Sequence, residues 1–157
     1  MKKVLVTIVI LSILLLSGCS NEVENLKNEY LAYKNDLQAS HDFATSDTLP
    51  CDITISLDKI EDDEISYRAI IDKPRENMYN IKALVIHNYF TSDIFPTIGI
   101  FDADNNLIVG DETLKGISLV GYIETDKEVE DLNLEIRVLL EYENDDGEIQ
   151  TIYYKST

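Results

Sequence analysis

Past Pro50 the chain is dominated by residues that alternate apolar and polar with a period of two, and this constrains its fold more than any other feature. The run Leu132, Leu134, Ile136, Val138, Leu140, Tyr142 against Asn133, Glu135, Arg137 and Glu141 is the clearest case. Side chains of an extended strand point to opposite faces in turn, so such a run predicts a strand with one buried and one wet face. Ile53, Ile55 and Leu57 repeat the pattern between Asp52, Thr54, Ser56 and Asp58, and so do Ile65, Tyr67, Ala69 and Ile71. The acidic Glu61-Asp62-Asp63-Glu64 between those two runs reads as a solvated turn.

Residues 81–89 differ, because Ile81, Ala83 and Val85 make one face apolar and Leu84 and Ile86 the other. A strand apolar on both faces belongs in the middle of a sheet. Further strands are predicted over 97–102, 107–110, 116–125, 132–142 and 148–154. Asp146-Gly147 should turn the last two into a hairpin, since glycine tolerates the positive φ that such turns need.

Seven or eight short strands in about 105 residues, with turn signals between them and no helical period, predict an all-β fold, an antiparallel β-sandwich. In strand number and length it is similar to immunoglobulin-like and fibronectin type III modules. It lacks their signatures, having no Trp and no Cys pair to staple the sheets. That likeness is one of architecture and transfers no function.

Upstream the period is helical. Val23, Leu26, Tyr30, Tyr33 and Leu37 recur at spacings of three and four among Glu, Asn, Lys and Asp, with Asn21 and Glu24 placed to cap the start. A helical stalk is expected within 19–40, either packed on its own domain as a spacer or pairing with another chain. Residues 41–50 carry no period and end in Pro50, so they read as a linker to a folded region at 51–157.

The first eighteen residues read as a segment apart from the fold. Lys2 and Lys3 precede an apolar stretch from Val4 to Leu16, and the stretch closes on Leu16-Ser17-Gly18-Cys19. This resembles the lipobox signal of bacterial lipoprotein precursors. The resemblance implies cleavage before Cys19 and a diacylglycerol thioether on its sulfur, with membrane attachment outside the cytoplasm. Two acyl chains hold a protein on a bilayer where one gives marginal binding.

Cleavage there would take away Lys2 and Lys3 and no acid, leaving 11 basic against 30 acidic groups, a formal charge of −19 over 139 residues. Such a surface is repelled by an anionic leaflet and by nucleic acid, so the lipid alone would supply attachment. The partners expected are the membrane, through the lipid, and an envelope protein or polymer.

Candidate chemistry is sparse. After processing, Cys51 is the one remaining thiol, and its neighbours at the start of a strand favour burial over reactivity. His41 lies in the linker, and His87 continues the Ile81, Ala83, Val85 face, so neither has the context of a catalytic base. No phosphate-cradling glycine loop, nucleophile elbow or metal-spaced Cys/His set is present.

Asp102, Asp104 and Asn106 start like a calcium loop, with Asp111 or Glu112 as further oxygen donors, but Leu107 stands where glycine should turn the chain and Thr113 where a bidentate Glu should close it. Phe90, Ile94 and Phe95 fall in an apparent interstrand loop and are the candidate partner contact. Two functions follow: a non-enzymatic binding module of the bacterial envelope, without cofactor, or an envelope enzyme or accessory using clustered carboxylates with calcium.

Overall fold

The computed structural model describes residues 24–39, 42–45, 47–89, 97–100, 105–111, 113 and 116–156, the stretch 97–100 through its backbone alone. Two compact units divide the chain, 1–33 and 34–157. Residues 24–38 are helical (α1), and the boundary falls inside this stretch. In the first unit Leu26 and Leu31 of the helix are exposed. Among the described residues no helix is long and apolar enough to cross a membrane.

The second unit is mostly strand. In chain order these are β1 (Asp52–Glu61), β2 (Glu64–Asp72), β3 (Tyr79–His87), β4 (Thr97–Ile100), β5 (Ile117–Glu124), β6 (Ile136–Glu143) and β7 (Ile149–Ser156). They form two antiparallel sheets, one in the order β1-β2-β5 and the other β4-β3-β6-β7. The inward residues of both sheets meet in one core, where Ile65, Tyr67, Ala69 and Ile71 of β2 join Ile81, Ala83 and Val85 of β3 and Ile136, Val138, Leu140 and Tyr142 of β6. The period-two residues of the sequence are therefore those that line this layer.

The two-sided apolar character of β3 has two causes. It lies between β4 and β6 inside its sheet, and its outer face is also dry, with Leu84 and Ile86 of β3 and Leu139 of β6 all buried. Residues 34–39 and 42–45 lie along that outer side. Leu37 is fully buried, Asp36 accepts a hydrogen bond from Tyr153 of β7, and Ala44 makes a parallel bridge to Tyr154, donating its N–H to the Tyr153 carbonyl at 2.8 Å. Part of the stretch read as a linker thus adds to a sheet edge.

Two predicted strands differ. Leu107 makes only an isolated bridge, with Met78, and residues 109–110 turn away. The alternating run from Leu132 becomes strand only at Ile136, because a 3-10 turn at Val129–Asp131 precedes it and 132–135 are irregular. Leu132 and Leu134 pack against the core all the same, so their spacing reports burial without ladder pairing. The last hairpin turns at 144–148 with Gly147 at φ +76°, and Asn144 Oδ1 accepts from the N–H groups of Asp146 and Glu148.

Candidate functional site

At one end of the four-stranded sheet, β3 runs out at His87 and β6 begins at Ile136. Asn88 extends the ladder by side chain: its Nδ2 donates to the Asn133 carbonyl and its Oδ1 accepts from the Glu135 N–H, each at 2.8 Å. The next residues on β6 build a charged cluster. Arg137 Nε donates to Glu135 Oε1 at 2.7 Å, and Lys155 Nζ of β7 reaches Glu135 Oε2 at 3.4 Å. Both cations lie over the ring of Phe43, at 5.5 and 5.4 Å from its centroid. The Arg137 guanidinium, followed by Lys155, holds the Glu135 carboxyl below the usual carboxylate range.

These groups border an open hollow of about 240 Å³ lined by Gln38, Ile86, His87, Asn88, Glu135 and Arg137. It is smaller than the roughly 300–1,000 Å³ of most small-molecule sites. Its polar groups are also committed to the fold: Arg137 Nη1 donates to the carbonyls of Leu37 and Gln38, at 3.4 and 3.2 Å, and Asn88 is engaged on both amide atoms. The hollow is charge-balanced, and its hydrogen bonds hold chain to chain.

The two groups best suited to nucleophilic chemistry are packed away. His87 is 4% exposed, its Nδ1 accepts the Tyr89 N–H at 3.1 Å, and its ring stands edge-on to Tyr67 at 5.4 Å. Burial lowers its pKa to about 4, so the ring is neutral at pH 7. Cys51 is fully buried, and burial, opposed by nearby Arg75, pushes its thiol up to about 12. A thiol in that state offers almost no thiolate.

The acidic turns are engaged at several points. Asp145 accepts from Tyr79 Oη at 3.1 Å and Asn77 Nδ2 at 3.0 Å, and this hydrogen bond to Asp145 raises the Tyr79 pKa. Glu76 accepts from the Tyr142 hydroxyl, whose pKa rises through burial and then through that contact. Asp52 pairs with Lys73 at 3.2 Å and Arg75 at 2.6 Å, and the Lys73 hydrogen bond leads in lowering its pKa.

Of the residues singled out from sequence, Cys19, His41, Phe90, Ile94, Phe95, Asp102, Asp104 and Glu112 lie outside the described residues. Asn106 is exposed, and its Oδ1 accepts the backbone N–H of Asn80 at 2.9 Å, which supports the positive φ of 50° there. Asp111 accepts from the N–H and hydroxyl of Thr113 in a local turn. No group of three or more His, Cys, Asp or Glu placed to hold a metal occurs among the described residues. The cluster of Phe43, Glu135, Arg137 and Lys155 was not legible beforehand, since Phe43 lay in a stretch without period. Comparisons with protein families, with curated proteins and with solved structures return no match.

Proposed function

We propose that this chain is an extracytoplasmic lipoprotein of a bacterial envelope, held on the membrane by diacylglycerol on Cys19, whose β-domain is a non-enzymatic binding module. Leu16-Ser17-Gly18-Cys19 behind an apolar, lysine-led stretch carries the anchoring half of this reading. The binding half is supported by the location of the chemistry, since the imidazole of His87 and the thiol of Cys51 are spent on the core. A base inside a packed layer meets no substrate.

The domain is, on this reading, an immunoglobulin-like sandwich of the three-plus-four kind. The hairpins β1-β2, β3-β4 and β6-β7, with β5 returning to pair with β2, support it. Such modules present loops and sheet faces on a rigid frame, which suits recognition. The anchoring is tested by fractionating cells that express Cys19→Ser: release into the medium or an unprocessed precursor is the expected result, and unchanged membrane recovery overturns it. Crosslinking on intact cells, followed by identification of the captured envelope protein or polymer, tests the binding role.

A further inference from the structure

Each sheet ends in two edge strands, and three of the four are guarded. β7 takes the Ala44 N–H on its Tyr153 carbonyl, so residues 42–45 begin to cover it. β4 is only four residues long. β1 carries Asp52, Asp58, Lys59 and Glu61, its register breaks between Lys59 and Glu61, and Lys59 is tied to the Lys127 carbonyl and to Glu128. Charge, irregular register and short length are means by which edge strands avoid pairing with other chains.

β5 has none of these. Its eight residues include one charged side chain, Glu124, and it pairs with β2 without a break from Ile117 to Glu124. The register also shows which of its backbone groups are spare. Thr125 donates its N–H to the Asp63 carbonyl at 2.8 Å, and bonded and non-bonded pairs alternate along an antiparallel ladder, so Ile123, Gly121, Leu119 and Ile117 also turn their N–H and C=O toward β2. Those of Ser118, Val120, Tyr122 and Glu124 point the other way. Among the described residues no backbone group answers them, although β4 passes close to β5 at the corner of the sandwich. Ser118, Tyr122 and Glu124 are all exposed.

We propose that β5 is a strand-addition edge and that its occupant is β5 of a second copy of this chain, paired antiparallel about a two-fold axis at Gly121. A two-fold contact repeats each pair. This register sets Ser118 opposite Glu124 and Val120 opposite Tyr122, so every spare N–H and C=O of 118–124 finds a partner, whereas moving the axis to 120 or 122 sends Glu124 or Ser118 beyond the end of the other strand. Gly121 meets its own copy in a non-hydrogen-bonded pair, where Cα atoms approach to about 4.5 Å and side chains crowd most, and it has no side chain to collide. Beside it Leu119 faces Ile123 of the other copy; both are buried, so the apolar layer continues across the contact. Glu124 meets a serine and no acid. The other acids of the sheet's outer face, Asp52, Asp58, Glu64 and Asp72, lie on β1 and β2, one or two strands back from the added edge.

Proline at 120 tests the pairing, because the Val120 N–H points away from β2 and its loss leaves the β2 ladder whole. The full chain in mild detergent is followed by sedimentation velocity across the micromolar range. The wild type should dimerise, and Val120→Pro should raise the dimer dissociation constant by about tenfold or more, since the symmetry removes its hydrogen bond twice. Charge tests the register. Tyr122→Glu alone sets two acids on diagonal positions across the axis and should weaken association, and adding Val120→Lys to it sets opposite charges face to face twice and should restore association. Thermal unfolding of each variant confirms that it is folded. A wild type that stays monomeric assigns the edge to another strand and overturns the proposal. So does a folded Val120→Pro that dimerises as the wild type does, or a double variant that associates no more tightly than Tyr122→Glu.

Discussion

The guanidinium of Arg137 donates from Nη1 to the carbonyl oxygen of Gln38 at 3.2 Å, joining the start of β6 to the end of α1. The last carbonyls of a helix have no partner within it, so a cation there supplies both hydrogen bonds and favourable charge. Because the same side chain binds Glu135 through Nε, removing it opens two contacts together. Arg137→Met keeps the length and loses both. We expect a cost of about 1–3 kcal/mol and faster amide exchange over 34–38, with β2 and β5 unchanged. Exchange that rises equally everywhere would show that Arg137 supports the whole fold and does not fasten this segment.

Gly116 and Gly110 both have positive φ, +88° and +79°, but different surroundings. A Cβ on Gly116 would meet Asp72 Cβ and the Ile71 carbonyl oxygen, each at 2.8 Å, whereas nothing lies within 4 Å at Gly110. Gly110→Ala therefore carries the left-handed backbone strain alone, about 1 kcal/mol. Gly116→Ala adds displacement of β2 where it pairs with β5 and should cost about 2–4 kcal/mol. Denaturant unfolding of the two variants compares them directly, and equal losses would contradict the close approach.

Alternation made the layered core legible, since Ile65 to Ile71 and Ile136 to Tyr142 face it as their spacing demands. The same alternation overreached at Leu132 and Leu134, where a chain can bury every second residue without hydrogen bonding to a neighbour. Local pattern also could not tell that residues 34–39 and 42–45 would dock beside β6 and β7 through Arg137, Tyr153 and Lys155, because those contacts join segments far apart in the chain. The pairing of Ser66 with both Asp58 and Tyr122 is likewise a property of register and not of any one run. The burial of His87 and Cys51 was more readable, as His87 followed the apolar face of β3 and Cys51 opened a strand.

Cys51 is enclosed by backbone that Arg75 stitches together: its N–H donates to the Pro50 carbonyl, Nη1 to the Leu49 carbonyl and Nη2 to Asp52. In a Cys19→Ser background, a thiol reagent should label the native protein on the order of a thousandfold more slowly than the denatured one. Cys51→Ser should lower stability by about 1–3 kcal/mol, because the hydroxyl is placed among apolar neighbours. Native labelling at the rate of a free thiol would remove Cys51 from the core.

Stability should also depend on pH through His87. Its folded pKa is about 4 against 6.5 for an ordinary histidine, with burial as the cause. Between those values the unfolded chain binds a proton that the folded one refuses, so stability rises with pH across this window. The contribution is complete above pH 6.5 and is lost as pH falls toward 4, amounting to about 3 kcal/mol. Protonation would also give Nδ1 a hydrogen where it now accepts the Tyr89 N–H. Glu135 and Asp52 act in a lower range, because their folded pKa values are depressed: their contribution is present above the ordinary carboxylate range and lost as pH falls through the lowered values. The His87→Gln variant, which retains an acceptor, should flatten the dependence between pH 6.5 and 4 and leave the steeper fall below it. Urea unfolding at half-unit pH steps separates the two regions, and a wild-type profile level from pH 6.5 to 4 would place His87 in contact with water.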